Sequence, residues 1–242
     1  MKKIAVINDL SGFGKCSLTA AIPVISSFGI QCCPLTTAVL SNQTGYDSYA
    51  CRDLTGDMPA FIEEWKKLGV SFSGILTGFI SSGMQGQIIS DFIDEFNSES
   101  TLVVVDPVMA DDGLIYKAYD DKCVEAIKQL ADKADIITPN LTELCILAEE
   151  DYGKIIQLDY EALIEKIRDM CLALNKKSER RIVASGIKTG GKIANAVFEN
   201  GSLEVIETEA FGGSFSGTGD ILSAFITAPR LSLPFLAPSL VP

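Results

Sequence analysis

The sequence contains no histidine among its 242 residues. This absence excludes Ser-His-Asp and Cys-His catalysis, so any general base must be Asp, Glu, Lys, Tyr or Cys. The seven cysteines form no C-x-x-C pair. Zinc sites and disulfide frameworks are therefore poorly supported, and scattered thiols in a reducing compartment are expected.

Long apolar runs are also missing. No stretch of about 18 or more apolar residues occurs, so no membrane span is expected. The apolar run at 4–7 is too short for the core of a secretory signal and is followed by polar residues. We therefore expect a cytoplasmic protein that does not bind membranes.

Positive charge is scarce, with 20 Lys and Arg against 32 Asp and Glu and a formal net charge of −12. Nucleic-acid binding relies on a basic surface, so this balance argues against a nucleic-acid partner. A nucleotide is still compatible, because a divalent metal and backbone N–H groups can meet its charge.

The apolar pattern alternates between strand and helix from the start of the chain. Strands are predicted at 3–7, 36–40, 74–80, 102–105, 135–138 and 181–184, with a hairpin of 192–198 and 203–208 around Asn200-Gly201. Helices are predicted at 18–28, 57–68, 84–96, 117–131, 141–149 and 160–174. This order predicts an α/β fold of three layers, with a mostly parallel central sheet and helices on both faces.

The chain ends in a proline-rich segment that contains Pro229, Pro234, Pro238 and Pro242. Proline interrupts both helices and central strands, so a helix that begins near Gly219 is expected to end before Pro229. We therefore predict one domain at 1–228 and an atypical tail at 229–242.

A glycine-rich segment, Gly217-Thr218-Gly219-Asp220, leads directly into an apolar run. Glycines allow close approach of the backbone to a ligand, and the start of a helix offers free N–H groups to an anion. An acid at this place repels phosphate, but it can accept a proton from a hydroxyl that attacks a phosphoryl group. The alternative is a glycine-rich loop with Asp220 as an ordinary helix-start residue.

Further polar residues follow the predicted strands. The carboxyl ends of parallel strands meet at one edge of a sheet, so these residues predict one shared cleft. Asp106 and Glu143 are suited to a hydrated Mg²⁺, which prefers carboxylates and keeps several waters. Two structural alternatives are open: Asp106 is a turn residue before Pro107, and Asn140 with Glu143 forms a capping box.

Taken together, these motifs resemble the ribokinase-like superfamily and, within it, the pyridoxal (vitamin B6) kinases. The resemblance covers about residues 3 to 226 and includes N-D-L-S-G-F-G-K from Asn8, S-N-Q-T-G-Y from Ser41, T-G-F from Thr77, D-P-V-M from Asp106, T-P-N-L-T-E-L from Thr138, and G-T-G-D from Gly217. The resemblance implies ATP-dependent phosphorylation of the 5′-hydroxymethyl group of pyridoxal, pyridoxamine or pyridoxine, with ATP and Mg²⁺ required and a homodimer as the assembly.

The resemblance also implies roles for residues at the matching positions. Asp220 is the implied catalytic base, and the implied anion hole consists of Gly217, Thr218 and Gly219. The other implied roles are substrate binding by Asp9, Ser11, Thr44 and Phe79, ATP binding by Asp106, Tyr116, Asn140 and Ser185, and metal binding by Asp106 and Glu143.

The sequence departs from the family pattern at three places. Asp9 and Gln43 stand where many B6 kinases have serine and histidine, so the preferred vitamer is open, and an acid near the ring favours an amine such as pyridoxamine. The proline-rich tail replaces the elements that complete the nucleotide pocket in the family. The altered tail leaves open a relative that binds a vitamer without phosphorylating it. The other alternative is a hydroxymethylpyrimidine kinase, a sister family that has the same Asp and anion hole, although Thr44-Gly45-Tyr46 argues against it.

Overall fold

A computed structural model describes residues 1–117, 119–175, 180–213 and 215–232. The strands are β1 (Lys3–Ser11), β2 (Gln31–Leu40), β3 (Cys51–Asp53), β4 (Gly74–Thr77), β5 (Leu102–Val105), β6 (Ala110–Asp111), β7 (Leu114–Ile115), β8 (Ile136–Ile137), β9 (Arg181–Thr189), β10 (Lys192–Glu199) and β11 (Ser202–Glu209). The helices are α1 (Ser17–Ser27), α2 (Met58–Lys67), α3 (Gly83–Phe96), α4 (Asp121–Lys133), α5 (Leu141–Leu147), α6 (Tyr152–Ile155), α7 (Tyr160–Leu174) and α8 (Thr218–Ser232).

Nine strands form one sheet in the order β11-β10-β9-β8-β5-β4-β1-β2-β3. The strands from β9 to β2 in this order pair in parallel, and β3, β10 and β11 add antiparallel pairs at the edges. The short strands β6 and β7 form a separate antiparallel pair. The predicted α/β fold is confirmed.

The two faces of the sheet bury separate apolar cores, because successive residues of a strand point to opposite faces. Ile4 and Val6 of β1 pack in a core with residues of α1 and α8. Ala5 and Ile7 of the same strand pack in the larger core, to which α2, α3, α4, α5 and α7 contribute. The three-layer arrangement follows directly from this alternation.

Several elements differ from the predicted ones. Helix α4 begins at Asp121 and not at 117, because the Asp120 carboxylate accepts a hydrogen bond from the Cys123 amide and caps the helix there. The very short elements β3, β6, β7 and α6 were not predicted from the sequence. Their pairing is decided by neighbouring segments, and two to four residues carry almost no periodic signal.

The predicted end of the last helix before Pro229 is wrong. Helix α8 contains Pro229 and continues to Ser232, and Ala228 and Leu231 are buried against the sheet. Apolar packing of this face outweighs the one backbone hydrogen bond that a proline removes. The predicted domain boundary after 228 therefore falls inside a helix, and the rest of the predicted tail, 233–242, lies outside the described residues.

In the described part of the chain, no helix is both long enough and apolar enough to cross a membrane.

Candidate active site

The polar ends of four neighbouring parallel strands meet at one edge of the sheet. Strands β1, β4, β5 and β8 stand side by side in the sheet. The residues at or just after their carboxyl ends include Asn8 and Asp9, Phe79, Asp106, and Asn140. The first turn of α8 lies against this edge, because the Asn8 amide nitrogen lies 3.2 Å from Oδ1 of Asp220.

Asp220 is partly buried in the first turn of α8. Burial raises the pKa of the Asp220 carboxyl, and the nearby charge of Asp9 raises it further. Hydrogen bonds from the Ser17 backbone and from the Asn8 side chain oppose this rise by stabilising the charged form. A carboxylate in this setting is suited to accept a proton.

The glycine-rich loop wraps around the start of the same helix. Gly217 adopts a positive φ of 86°, which favours glycine, and its carbonyl accepts a hydrogen bond from the Ile221 amide. Thr218 is the first residue of α8, and its hydroxyl donates to the Phe215 carbonyl at 3.3 Å. The first N–H groups of a helix have no acceptor within the helix, so this loop presents donors that an anion can use.

Asp106 lies next to this loop. A Cβ built on Gly219 would lie 3.9 Å from Oδ2 of Asp106. Burial raises the pKa of Asp106 to about 8, with a further rise from the charge of Asp220, while a hydrogen bond with the Ser223 side chain opposes it. Two carboxyl groups therefore flank the site where the loop would hold an anion.

Glu143 is a third buried acid near this point. Burial raises its pKa well above the usual range, and the charge of Asp106 adds to the effect. Its two carboxyl oxygens accept hydrogen bonds from the Met109 amide at 3.1 Å and from the Asn140 amide at 2.9 Å. In the described part of the chain, no ion pair includes Asp106, Glu143 or Asp220.

These acids fit a hydrated Mg²⁺ and not a fully protein-bound metal. No group of three or more His, Cys, Asp or Glu among the described residues is arranged to hold a metal ion. Mg²⁺ usually takes one or two carboxylates and completes its shell with water and phosphate oxygens. Asp106 and Glu143 are buried acids with raised pKa values, and a cation would lower the cost of their charge.

The capping box of Asn140 and Glu143, which was the structural alternative, is confirmed. Asn140 is the N-cap of α5, and its side-chain oxygen accepts from the Glu143 amide at 2.9 Å, which completes a capping box. The Asn140 side-chain nitrogen donates to the Ala110 carbonyl at 2.7 Å. The pair therefore fixes both the start of α5 and the segment that follows Asp106.

Tyr116 and Ser185 lie beside this pair. The Tyr116 amide donates to the Met109 carbonyl, and Glu143 is among the groups that raise the pKa of the Tyr116 hydroxyl after burial itself. Ser185 forms a parallel bridge with Asn140, and its amide donates to the Pro139 carbonyl at 2.9 Å. The structure thus brings the residues of the predicted ATP side together.

On the predicted substrate side, Asp9 and Ser11 are both buried, and the Ser11 hydroxyl donates to the Asp9 carboxylate at 2.8 Å. Burial raises the pKa of Asp9, while the Ser17 and Ser11 hydroxyls lower it. The ring of Phe79 stacks on the ring of Tyr119, with 5.8 Å between their centroids.

Thr44, the remaining residue of the predicted substrate side, lies apart from these buried groups. It is exposed on the loop after β2 and does not lie among the buried groups at the strand ends. That loop packs on the loop after β1, because the Gln43 amide donates to the Phe13 carbonyl and the Tyr46 ring contacts the Phe13 ring. Thr44 is therefore positioned at the rim of the site.

Sequence reasoning assigned no role to three residues that contact the central acids. They are Asn8, which donates to the Asp220 carboxylate, Ser223, whose hydroxyl donates to the Asp220 carbonyl at 3.2 Å and lowers the pKa of Asp106, and Ser17, whose backbone lowers the pKa of Asp220. Asn8 directly follows the predicted strand 3–7, although β1 continues to Ser11, so its position after that predicted strand was the available signal. Ser17 has a positive φ of 49°, which nothing in the sequence around it indicates.

Comparison with known proteins shows the family to which the chain belongs. The family model described as phosphomethylpyrimidine kinase matches residues 16–233, and so most of the chain. A crystal structure from Bacteroides thetaiotaomicron, of a protein classed as a phosphomethylpyrimidine kinase and crystallised with pyridoxal, is 38% identical, with a TM-score of 0.85 over 92% of this chain and 78% of that one.

Two pyridoxal kinases are similar as well. The crystal structure of the enzyme from Lactobacillus plantarum is 29% identical, with a TM-score of 0.83 over 95% of this chain and 80% of that one. The pyridoxal kinase of Dictyostelium discoideum is 25% identical over 219 residues, which are 85% of this chain and 70% of the relative. The resemblance inferred from the motifs is confirmed: the chain belongs to the phosphomethylpyrimidine kinase family, within the ribokinase-like superfamily that includes the pyridoxal kinases.

Proposed function

We propose that this protein is an ATP-dependent kinase that phosphorylates the 5′-hydroxymethyl group of a B6 vitamer, namely pyridoxal, pyridoxamine or pyridoxine. The observation that carries the proposal is the position of Asp220, a carboxylate that accepts a hydrogen bond from Asn8 and lies directly after the glycine-rich loop. Similarity to a relative crystallised with pyridoxal, at 38% identity, supports the vitamer as the acceptor.

The reaction needs a base and an anion site close together, and Asp220 and the loop supply both. The vitamer hydroxyl oxygen attacks the γ-phosphorus of ATP, the bond from that phosphorus to the ADP oxygen breaks, and Asp220 accepts the hydroxyl proton. The N–H groups of the loop formed by Gly217, Thr218 and Gly219 stabilise the negative charge on the transferring group. These roles are proposals that rest on the geometry of the chain.

Asp106 and Glu143 are the residues that would hold Mg²⁺, directly or through water. The ion, when bound, neutralises charge on the ATP phosphates. Asn140, Tyr116 and Ser185 then lie on the nucleotide side of the site, and Asp9, Ser11 and Phe79 on the vitamer side. Thr44 is proposed to contact the vitamer from the rim. A homodimer and a cytoplasmic location are predictions from the sequence.

Asp220→Asn tests the proposal directly. We expect a loss of turnover of about 10²–10⁴-fold, because a positioned general base contributes on that scale. The Kd for the vitamer should change little, since the amide keeps the size of the carboxylate. The matched control is Asp91→Asn on α3, an exposed aspartate that accepts a hydrogen bond from Gln87. Turnover retained in Asp220→Asn and equal to that of Asp91→Asn would contradict the assignment.

A second candidate is a hydroxymethylpyrimidine kinase, which the description of the matching family model favours. The same base and anion loop would serve it, so only the acceptor differs. ATP consumption measured in parallel with pyridoxal, pyridoxamine and hydroxymethylpyrimidine decides between the two. The inactive-relative alternative predicts no turnover and no rise in Tm with ATP and Mg²⁺, since a ligand that binds the folded state stabilises it.

A further inference from the structure

Asn8 is buried in the carboxyl-terminal half of β1 and makes three hydrogen bonds through its side chain. Its oxygen accepts from the Phe79 amide at 2.9 Å and from the Asp9 amide at 3.0 Å. Its nitrogen donates to Oδ1 of Asp220 at 3.2 Å. Asn8 therefore joins β1, the loop after β4 and the first turn of α8 through one amide group.

These contacts determine which way the amide points. Two backbone N–H groups face one end of the side chain, and only an oxygen can accept from them. The nitrogen must then occupy the other end, where it faces the carboxylate of Asp220. A carboxylate in its charged form is the best acceptor for this donor.

Gly78 lies beside this amide and leaves room for it, because glycine has no side chain. A Cβ built on Gly78 would overlap the side-chain nitrogen of Asn8 and lie 2.7 Å from its Cγ. Real Cβ atoms do not approach other atoms so closely, so any other residue at 78 has to displace Asn8. Two backbone donors thus hold the Asn8 amide, and the lack of a side chain at Gly78 leaves the space that the amide occupies.

We propose that Asn8, whose side chain occupies the space that Gly78 leaves open, is a positioning residue that orients the carboxylate of Asp220 for the attacking hydroxyl. Asn8 acts through Asp220, without a role of its own on the reacting atoms. The part of this inference that concerns catalysis rests on the proposed function, whereas the coupling between Asn8 and Asp220 does not.

The coupling is tested first, by a double-mutant cycle on thermal stability at pH 8. Asn8→Asp keeps an oxygen for the two backbone donors and replaces only the donor to Asp220 by an acceptor. We expect its Tm to fall by roughly 3–10 °C, because two acidic groups then face each other. Adding Asp220→Asn restores a hydrogen bond to the pair, in which the amide at 220 donates to the carboxylate at 8. The double variant should therefore recover at least half of the lost Tm.

Kinetics then test the positioning. For Asn8→Asp and for Gly78→Ala we expect kcat to fall by about 10–100-fold, which corresponds to a misplaced base. The KM values for ATP and the vitamer should stay within about twofold in Asn8→Asp, since the bond to the Phe79 amide is kept. The double variant should stay inactive although its Tm is restored.

Thr101→Val is the control for stability alone. Thr101 is buried before β5, at the opposite end of the sheet, where its hydroxyl donates to the Phe72 carbonyl at 3.0 Å. Its loss should lower Tm and leave kcat unchanged. If kcat falls in Thr101→Val in proportion to Tm, as in Asn8→Asp, Asn8 has only a structural role and the inference fails.

The two proposals fail in different ways. A double variant with a Tm no higher than that of Asn8→Asp overturns the coupling, whether or not the wild-type chain phosphorylates a vitamer. A wild-type chain without turnover overturns the proposed function. A recovered Tm in the double variant would still show that Asn8 and Asp220 are coupled. Unchanged kcat in an active wild-type background, in both Asn8→Asp and Gly78→Ala, overturns the positioning role.

Discussion

The backbone at Gly217 lies directly against the carbonyl of Lys15. A Cβ built on Gly217 would overlap the Lys15 oxygen and lie 2.9 Å from its carbonyl carbon. Gly217 also has a φ of 86°, a conformation that other residues rarely adopt. The loop before α1 and the glycine-rich loop before α8 therefore form one unit, and the residue where they meet has to be glycine.

Gly217→Ala is expected to disrupt this unit. The clash is with backbone, which cannot move aside as a flexible side chain could, so we expect at least a 100-fold loss of kcat/KM together with a lower Tm. Gly213→Ala is the matched control, because no atom of the described residues lies within 4 Å of its built Cβ and its φ is not positive. Similar activity in the two variants would show that the close packing at 217 is unimportant.

The high pKa of Asp106 predicts how stability depends on pH. The pKa is about 8 in the folded chain, whereas it is about 4 in an unfolded one. Between these values the unfolded state releases a proton that the folded state keeps, so the free energy of unfolding falls as pH rises from about 4 to about 8. Asp106→Asn lacks this ionisable carboxyl group. The Tm of this variant minus the Tm of the wild type should therefore increase as the pH rises from about 4 to about 8. A difference in Tm that is constant with pH would contradict the prediction.

Proton release should also accompany Mg²⁺ binding. A cation favours the charged form of Asp106, so the apparent Mg²⁺ affinity in the presence of ADP should rise as the pH increases from 6 to 8. Titration of Mg²⁺ in buffers of different ionisation enthalpy measures the protons released. The same pH dependence in Asp106→Asn would show that another group is responsible.

Phe79 is expected to matter for the vitamer more than for ATP. Its ring stacks on Tyr119, while its amide is held by Asn8, so it offers a fixed aromatic face at the strand end. For Phe79→Ala we expect the vitamer KM to rise by about tenfold with little change in the ATP KM, because aromatic contacts contribute about 0.5–1.5 kcal/mol beyond their buried area. Phe61→Ala on α2, where the ring is half exposed, is the control. An equal rise in the KM for ATP would contradict a specific role of Phe79 in vitamer binding.

The two roles of Asn140 can be separated by Asn140→Ser. Serine is a good N-cap, so α5 should stay capped and the Tm loss should be below that of Asn140→Ala, for which about 1 kcal/mol is expected. Serine has no amide nitrogen, however, and the bond to the Ala110 carbonyl is lost. A rise in the ATP KM with nearly normal Tm would support the nucleotide role. The control is Asp159→Ser, which changes the N-cap of α7. A normal KM for ATP in Asn140→Ser would show that Asn140 only caps α5 and has no role in nucleotide binding.

Local patterns predicted several elements to the residue. The β-branched run Leu102–Val105 and the amphipathic helix Tyr160–Leu174 match their predicted bounds, because each is delimited by its own residues. The hairpin turn at Asn200-Gly201 is equally local, since both residues have the positive φ that such a turn requires. The capping box of Asn140 and Glu143 follows from a spacing of three residues.

Elements that depend on distant partners were predicted less well. Helix α8 continues past Pro229 because its buried face packs on the sheet, and no local rule accounts for that contribution. Strand β3 consists of three exposed residues and exists because β2 offers it an edge. Thr44 is exposed on the loop after β2, and the packing of that loop on the loop that contains Phe13 was not indicated by any local pattern.

The sequence alone determined the fold class, the polar strand ends and the acid after the glycine-rich loop, because each depends on a few neighbouring residues or on the regular spacing of apolar residues. Only the tertiary structure decided how these pieces act on one another. Asn8 and Asp220 are separated by 212 positions, and their hydrogen bond exists because β1 and α8 pack at the same edge of the sheet. The raised pKa values of Asp106 and Glu143 have the same origin, since burial and the mutual repulsion of charges are properties of the folded chain.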